Sequence, residues 1–519
     1  MKIKIPLILF VLFTAFSVFA QQQTEKPNAD VFQGFDAFVE AEMKQWRVPG
    51  LSVAVIKDGK IILLKGYGFR DVQKKLPVTP RTIMPIGSNT KAFTASVLGT
   101  LVDEKKLNWD EPVRNYLTDF RLSDEVAERL TTARDLMSHR TGLPRHDSLY
   151  YGRSYTRQEL YSRLRYLEFN RTFRQRWQYN NLMVTTAGIL AERIASRTWE
   201  ELVRERLFVP LGMTRSNFTI ADITRSDDYA TPYGDVAGVS TAIPFRDIES
   251  VGPAGSINSS AEELIRFVQM QIGKGTYDGK QIISKDAATE IQYPQVNMNR
   301  GGPLTRISDE DEGSDGLGPS AYGLGLSVTS YRGRKLLYHG GGIDGFITDM
   351  AWLPDERIGI VVLTNWGEFN PFPAILERNV FDRLLGLNPV DWSGRAKKYF
   401  ARIAKEFGTP PKPEPPPTTT PSHPLADYAG AFAHPGYGTI TITVENGQLV
   451  ARLDHLVEPI PLEHDRYDVF RPKLPQNTTL SRWTSRRLTF FYDTGGKMNR
   501  LTTSMEGNVA DIVFKRTGN

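Results

Sequence analysis

A proline-rich stretch after residue 407 divides this chain into two parts. GTPPKPEPPPTTTPSHP, residues 408–424, mixes small polar residues with prolines, which fix the backbone dihedral φ and lack an N–H donor. Such a segment stays extended, buries little surface and joins domains. Because 519 residues also exceed what one core holds, the sequence predicts a large domain over residues 30–400, a linker over 401–424 and a small domain over 425–519.

The first twenty residues, MKIKIPLILFVLFTAFSVFA, place two lysines before a long apolar run that ends in small residues. This order is typical of a secretory signal that is removed after export. The alternative is a membrane anchor, because the run approaches the thickness of a bilayer, but no basic residue directly follows Ala20. We therefore expect a signal peptide over residues 1–20 and an exported protein, periplasmic or extracellular, without a stable membrane span after cleavage.

The composition excludes several classes of function. Because the chain has no cysteine, it cannot form disulfides, use a catalytic thiol or bind zinc through sulfur. Its net charge of +5 is small for 519 residues and comes without a basic run, so we expect no nucleic-acid partner. His139, His146 and Asp147 could suggest a metal cluster, but no matching ligand pair lies near them in the sequence. We expect no metal and no cofactor, and the sequence carries no signal of oligomeric state.

Both ends of the large domain have the pattern of strands, and its middle has the pattern of helices. Residues 51–69 form two β-rich runs around Asp58-Gly59, which is a hairpin signal. Further strands are predicted in YGLGLSV, KLLYHGGG, ITDMAWL and IGIVVLTN, from residue 322 onward. Helical spacing of apolar residues predicts helices at 90–107, 187–194, 199–207 and 261–272. The simplest arrangement is an α/β (α+β) fold in which one antiparallel sheet, built from both ends, is flanked by helices and carries a mostly helical insertion.

The part after the linker has the pattern of strands throughout. GTITITVENGQLVARLDHL alternates apolar and polar residues on either side of Asn446-Gly447, and RLTFFYDTGGKMNRLTT repeats the pattern around Gly495-Gly496. Both segments are typical of β-hairpins. The length suits a small closed structure, so we expect a C-terminal all-β barrel.

The motif PIGSNTKAFTA, residues 85–95, contains the only serine of the chain that has a lysine three residues later. If a helix begins at Thr90, Ser88 lies at its N-terminal end and Lys91 lies one turn along, so that hydroxyl and amine can meet. A lysine can take the serine proton only if burial lowers its pKa, and a free Ser88 N–H at a helix start suits a developing oxyanion. The alternative is that Ser88 only caps a helix.

A second motif, QYNNLMVTTAG, contains Tyr179 and Asn181, the only Tyr-x-Asn of the chain, directly before a helical run. A phenol beside an ammonium can relay a proton, and an amide can hold both a lysine and a substrate carbonyl. The alternatives are a packed aromatic residue and a helix cap. Ser256 and Asn258 in GSINSS are a rival hydroxyl and amide pair, which a loop before a helix also explains.

A third motif, LYHGGGIDGF, places His339 at the end of a strand, before Gly340, Gly341 and Gly342. Consecutive glycines at a strand edge let a substrate backbone approach closely, and an unobstructed N–H there can be the second oxyanion donor. His339 could orient the phenol or a substrate carboxylate. The alternative is a polar residue that only terminates a strand.

Taken in order, the three motifs resemble those of class C β-lactamases and the penicillin-recognising serine hydrolase family. The likeness extends over about residues 36–385 and includes MPIGSNTKAFTA, LTTARDLMSHRTGLPRHD, LFVPLGM and LLYHGGGIDGF. It implies that Ser88 is the acylated nucleophile, Lys91 its proton acceptor and Tyr179 the partner acid and base. It implies an antiparallel sheet flanked by helices with an all-α lobe, and the tail resembles the lipocalin-like barrel of some peptidase members, which could cover or shape the site.

The resemblance also implies how a substrate is held. Asn181 would bind the substrate and Lys91, and the N–H groups of Ser88 and Gly342 would form the oxyanion hole. The strand residues that would bind substrate are His339, Gly340 and Gly341. β-Lactamases of this class usually carry lysine where His339 stands, so the resemblance favours the esterase, amidase and peptidase relatives over efficient antibiotic hydrolysis.

We therefore expect an exported serine hydrolase that forms an acyl-enzyme on a small-molecule or peptide substrate, by cleavage of a peptide, amide or ester. One alternative is a penicillin-binding or sensing protein that acylates slowly or does not hydrolyse. Another is a true β-lactamase. The substrate itself has no readable code in the sequence, because specificity residues lie on loops.

Overall fold

The computed structural model describes residues 31–518, except residues 237, 299–317, 368–369, 407–418, 457, 475–482 and 508. The expected signal peptide lies outside the described residues, and so does half of the expected linker, residues 407–418. The first residues of that linker, 401–406, are helical, because the helix that begins at Trp392 continues to Glu406.

The α-helices of the described residues, in chain order, are α1 (Phe35–Trp46), α2 (Thr90–Asp103), α3 (Glu125–Leu130), α4 (Ala133–Met137), α5 (Arg157–Arg163), α6 (Asn181–Ala195), α7 (Trp199–Val203), α8 (Val209–Leu211), α9 (Ile220–Thr224), α10 (Gly252–Gly255), α11 (Ala261–Ile272), α12 (Lys285–Ile291), α13 (Phe372–Leu384), α14 (Trp392–Glu406) and α15 (Leu425–Tyr428). None of the helices in this part of the chain has the length and apolarity needed to cross a bilayer.

The strands, in chain order, are β1 (Gly50–Lys57), β2 (Lys60–Asp71), β3 (Leu76–Pro77), β4 (Met84–Pro85), β5 (Tyr233–Val236), β6 (Val239–Ala242), β7 (Asn258–Ser259), β8 (Thr276–Tyr277), β9 (Lys280–Gln281), β10 (Val296–Asn297), β11 (Ala321–Tyr322), β12 (Ser327–Tyr331), β13 (Arg334–Ile343), β14 (Phe346–Leu353), β15 (Ile358–Thr364), β16 (Gly430–His434), β17 (Gly438–Glu445), β18 (Gln448–Leu453), β19 (Ile460–Arg466), β20 (Val469–Pro472), β21 (Leu488–Tyr492), β22 (Met498–Thr503) and β23 (Ile512–Thr517).

The main sheet is built from both ends of the large domain, which confirms the prediction. Within the described residues it has nine strands in the order β10-β11-β12-β13-β14-β15-β1-β2-β3. The first strand, β1, pairs antiparallel with β15, and Leu51 lies opposite Thr364. The predicted hairpin joins β1 to β2 through Asp58 and Gly59, which both have positive φ, as a two-residue turn of matching twist requires.

Apolar cores cover both faces of this sheet, so its central strands are apolar on both sides. In β1, Ala54 and Ile56 join one core, and Val53 and Val55 join the other, because successive side chains point to opposite faces. Helices α2, α6 and α11 belong to the first core, and α1 and α13 belong to the second. The first core therefore lies on the side of the sheet where α2 begins.

Two predicted elements differ from the structure near α2. The predicted strand YGLGLSV is interrupted, because β11 ends at Tyr322 and β12 begins only at Ser327. Within the interruption, Gly325 has positive φ and lies so close to the backbone of Lys91 that a Cβ would be 2.7 Å from its carbonyl oxygen. Helix α2 also ends at Asp103 and not at residue 107, with Lys105 at positive φ just after it.

The part after the linker forms a closed antiparallel barrel, which has eight strands, β16 to β23, in the described residues. Its first predicted hairpin turns at Asn446 and Gly447, both at positive φ. The barrel contacts the large domain at a loop of the helical insertion. Arg153 Nη2 donates to the backbone carbonyls of Tyr437 and Asp454, at 2.8 Å each. The loop that ends at Arg153 is therefore fixed from the barrel side.

Candidate active site

Ser88 lies at the turn that leads into α2. Gly87 and Asn89 flank it in a short 3₁₀ helix, and Gly87 has positive φ. A Cβ at Gly87 would lie 3.0 Å from the backbone nitrogen of Gly342, so only glycine lets the two segments approach this closely. The helix begins without a hydrogen bond from a side-chain cap, so the alternative that Ser88 only caps a helix is wrong.

Lys91 lies one turn into α2, and its Nζ is 3.0 Å from Ser88 Oγ. The lysine side chain is fully buried, and Nζ also donates to the backbone carbonyl of Ala254 at 2.6 Å. Burial lowers the pKa of Lys91 well below its ordinary value, and the positive charge of Arg145 lowers it further, while Asp147 acts in the opposite direction. The amine is thus stabilised in its neutral form, directly beside the hydroxyl.

Tyr179 covers this pair of residues. Lys91 Nζ lies 4.8 Å from the centre of its ring, and the guanidinium carbon of Arg145 lies 4.9 Å from the same centre. Burial raises the pKa of Tyr179 to about 12, although a hydrogen bond with Ser88 and the charge of Arg145 lower it in part. Tyr179 is therefore a protonated phenol at neutral pH.

His339 is neutral and has no free ring nitrogen. Nδ1 lies 2.7 Å from the Gly340 carbonyl, to which it must donate, so Nε2 accepts from the hydroxyl of Tyr322 at 2.8 Å. Burial, with the nearby Lys91, lowers the pKa of His339 to about 3. The phenol that His339 contacts is thus that of Tyr322 and not that of Tyr179. Both ring nitrogens are thus occupied and the ring is uncharged in this structure, and the expected role of His339 toward a substrate carboxylate stays a prediction.

The three glycines after His339 follow the alternation of strand β13. Gly341 faces inward, where a Cβ would overlap the Ile86 carbonyl oxygen, and Gly340 and Gly342 are exposed. Ser88 and Gly342 line the same pocket. The two residues that are expected to supply the oxyanion donors therefore face one cavity.

Asn181 lies at the edge of the same pocket but does not bind Lys91. Its amide nitrogen donates to the hydroxyl of Tyr150 at 2.8 Å and to Asp147 Oδ1 at 3.3 Å. Its Oδ1 has no hydrogen-bond partner among the described residues. The helix cap at this position is the preceding residue, Asn180, which accepts from the backbone of Met183. The implied contact between Asn181 and Lys91 is therefore replaced by the Ala254 carbonyl.

The pocket is also lined by Arg145, Asp147 and Tyr150, to which no sequence motif assigned a role there. Arg145 Nε donates to Asp147 Oδ2 at 2.6 Å, and the hydroxyl of Tyr150 donates to Asp147 Oδ1 at 2.6 Å. The signal was present in GLPRHD, where an arginine and an aspartate stand two residues apart. Only the folded loop shows that these two side chains turn toward Ser88.

The other sequence candidates have different surroundings. His139 packs against Tyr179, and His146 bonds the hydroxyl of Tyr437 in the barrel. Within the described parts of the chain, no group of three or more histidine, aspartate and glutamate side chains could hold a metal ion. In the rival pair, Asn258 bonds Asn217, and Ser256 Oγ has no partner among those residues.

Two family models match this chain, and they cover different parts of it. The family model described as beta-lactamase matches residues 35–385, and a domain of unknown function, DUF3471, matches residues 414–516. Unguisins hydrolase ungD' of Aspergillus campestris is 29% identical over 444 residues, which cover 81% of this chain and 79% of that protein.

Two solved structures share the fold. The octameric penicillin-binding protein homologue from Pyrococcus abyssi has a TM-score of 0.60 and 23% identity, and the alignment covers 94% of this chain and 100% of that chain. D-amino acid amidase from Ochrobactrum anthropi SV3 has a TM-score of 0.55 and 21% identity, with 69% of this chain and 98% of that chain covered.

Proposed function

The chain belongs to the beta-lactamase family, and from this premise we propose that it is a serine hydrolase that forms an acyl-enzyme on Ser88 and cleaves a peptide, amide or ester. The observation that carries the proposal is the 3.0 Å contact between Ser88 Oγ and the buried amine of Lys91. A serine hydroxyl becomes an effective nucleophile when a neighbouring base takes its proton. The low pKa of Lys91 makes the amine that base.

The steps of acylation follow from these positions. Ser88 Oγ attacks the substrate carbonyl carbon as its proton passes to Lys91 Nζ, and the carbonyl oxygen becomes an oxyanion between the N–H groups of Ser88 and Gly342. When the bond to the leaving group breaks, the phenol of Tyr179 gives its proton to that group. The ammonium of Lys91 then returns a proton to Tyr179, so the site ends neutral with an ester on Ser88.

Deacylation reverses the order with water as the nucleophile. Tyr179 passes its proton to Lys91 and takes one from the water that attacks the ester carbon. The ammonium of Lys91 then protonates Ser88 Oγ as the ester bond breaks, so the product acid is released and the site returns to its first state. Apart from the oxyanion on the substrate, the charges that form in these steps lie on Lys91 and Tyr179. No cofactor takes part in these steps.

We favour a peptide, amide or ester over an antibiotic as the substrate. His339 is neutral and satisfied by Tyr322 and Gly340, so this position lacks the cation that β-lactamases of this class usually carry there. The relative that covers most of this chain is named a hydrolase, and a solved structure of the same fold is named an amidase. We also propose export, supported by the signal-like first twenty residues, and expect the isolated protein to start after Ala20 by mass spectrometry.

A reporter ester tests the proposal. The wild-type protein should turn over 4-nitrophenyl acetate repeatedly, and Ser88→Ala should lower kcat/KM on the order of a thousandfold or more. Mass spectrometry of a quenched reaction should find the acetyl group on the peptide that contains Ser88. The matched control is Ser256→Ala, which removes a buried hydroxyl that contacts neither Lys91 nor Ser88 and should leave turnover unchanged. Full turnover by Ser88→Ala would refute the proposal, and stoichiometric labelling without turnover would favour a binding or sensing protein.

A further inference from the structure

The pocket contains a cation that the reaction described above does not use. Lys91 is buried with a lowered pKa, and His139 and His339 also have lowered pKa values because they are buried. Among the described residues that line the pocket, Arg145 is the one lysine, arginine or histidine. Among the side chains of this lining, Arg145 is therefore the one that can pair with a negative charge on a substrate.

Asp147 fixes the orientation of this arginine. The carboxylate binds Nε of Arg145 through Oδ2, and its Oδ1 accepts hydrogen bonds from Tyr150 and Asn181. The guanidinium carbon also lies over the ring of Tyr179, in a cation–π contact at 4.9 Å from the ring centre. These contacts fix Nε and one face of the guanidinium group. They therefore reduce the conformational entropy that the side chain loses when a ligand binds.

The two terminal nitrogens of Arg145 are left available. Neither Nη group has a hydrogen-bond partner among the described residues, and 48% of the side chain is exposed. A guanidinium presents its N–H groups as a fork that matches a carboxylate with two parallel hydrogen bonds. A residue that lines the pocket thus has donors that suit a planar anion.

The distance to the nucleophile limits where that anion can be. Arg145 and the amine of Lys91 both lie within 5 Å of the centre of the Tyr179 ring, at 4.9 and 4.8 Å, and Ser88 is in contact with the amine. An extended chain advances roughly 3.5 Å per residue. A carboxylate one or two residues from the scissile carbonyl therefore reaches Arg145.

We propose that Arg145 determines the specificity of this site by binding a substrate carboxylate one or two residues from the carbonyl that Ser88 attacks. This inference rests on the proposed hydrolase function and adds a substrate class to it: acyl compounds that carry a carboxylate close to the scissile bond. In this chain Arg145 supplies, from the loop after α4, the positive charge that is absent at His339.

Matched pairs of esters test the inference, since each pair differs only in one charge. On the acyl side the pair is 4-nitrophenyl hydrogen glutarate and its methyl ester, and on the leaving-group side it is 3-acetoxybenzoate and its methyl ester. We expect the wild-type kcat/KM to favour the anionic member of at least one pair by about tenfold or more. Arg145→Gln should remove that preference, so that the ratio of kcat/KM for the anionic member to kcat/KM for the neutral member falls to about one, whatever the change in absolute rate. Arg145→Lys should keep part of the preference, because it keeps the charge and loses the fork.

Arg246→Gln is the matched control. Arg246 lies near the pocket, but its Nε and Nη2 both donate to Asp344 Oδ2, at 3.0 and 2.8 Å. Its loss should therefore not change the ratio of kcat/KM between the anionic and the neutral member of a pair. The inference is wrong if the wild type favours neither anion, or if Arg145→Gln lowers the rates for both members of a pair equally. In either case, turnover of the neutral ester that depends on Ser88 would leave the proposed hydrolase function standing.

Discussion

The carbonyl of Ala254 lies 2.6 Å from Lys91 Nζ, closer than the hydroxyl of Ser88, which lies at 3.0 Å. The amine is therefore anchored by a neutral backbone group from α10. None of the ion pairs between described residues includes Lys91. A buried ammonium without a carboxylate is costly, and this cost favours the neutral amine.

Replacement of Lys91 by methionine tests its role as the base. Methionine keeps most of the buried volume and loses the amine, so the fold should persist while kcat/KM for 4-nitrophenyl acetate falls about a hundredfold to ten-thousandfold. Circular dichroism establishes that the variant is folded. Equal rates for the variant and the wild type would show that another group accepts the Ser88 proton.

The pH dependence of kcat/KM should have one rising limb. The active form of Lys91 is neutral, so the rate increases with pH through the lowered pKa of Lys91. Tyr179 must keep its proton, and with a pKa of about 12 it adds no falling limb between about pH 5 and about pH 10. Tyr179→Phe should lower kcat and keep the rising limb. A falling limb near neutrality in the wild type would contradict the assignment of the two roles.

Lys91 should also destabilise the fold in a pH-dependent way. Its pKa is lower in the folded chain than in the unfolded one, so the unfolded state binds more protons between the lowered value and the ordinary 10.5. The destabilisation has its full size at pH values below the pKa of Lys91 in the folded chain, and it disappears as the pH rises to 10.5. Lys91→Met should therefore have a higher free energy of unfolding than the wild type, and this difference should be largest at acidic pH. Denaturant titrations at several pH values measure this difference, and a constant difference would show that the lysine is charged in the folded state.

Gly341 should be irreplaceable for a steric reason. Its Cβ would overlap the carbonyl oxygen of Ile86, two residues before Ser88. Gly341→Ala must therefore displace either β13 or the turn that holds Ser88, and such overpacking costs about 1–3 kcal/mol. The control is Gly340→Ala, whose Cβ would be 3.8 Å from its nearest neighbour, the Thr348 carbonyl. Thermal unfolding should separate the two variants clearly, and equal melting temperatures would contradict the steric argument.

Arg153 should link the barrel to the active-site loop. Arg153 is buried, and its three hydrogen bonds to the carbonyls of Tyr437 and Asp454 hold the loop that also carries Asp147. Arg153→Met should loosen this loop, seen as faster hydrogen exchange over residues 146–153, and lower kcat/KM several-fold although it does not touch the pocket. Arg452→Met is the control, because Arg452 pairs with Glu445 on the barrel surface. Unchanged exchange in Arg153→Met would show that the loop holds its own shape.

The sequence predicted the parts of this molecule that depend on local patterns. The hairpin at Asp58-Gly59 and the pairing of serine and lysine on α2 follow from turn chemistry and helical spacing, which neighbouring residues decide. The sheet built from both ends follows from the order of strands and helices alone.

The features of the site that the sequence did not predict depend on residues far apart in the chain. His339 is neutral because it is buried near Lys91, and its Nε2 is occupied because β11 places Tyr322 beside it. Lys91 is anchored by a backbone carbonyl that any residue could supply. Arg145 and Asp147 stand in a loop without periodicity, and the direction of their side chains depends on contacts with Tyr150, Asn181 and the barrel. No spacing in the sequence indicates such contacts.

The pairing of β1 with β15 also restricts how this protein can be made. β1 is an interior strand between β15 and β2, so the sheet cannot close until the ribosome has delivered Thr364, more than three hundred residues after Leu51. Until then the first hairpin has apolar residues on two faces and lacks its neighbour, a state that chaperones recognise. The nucleophile, which lies early in the sequence, is therefore assembled only when synthesis of its domain is nearly complete.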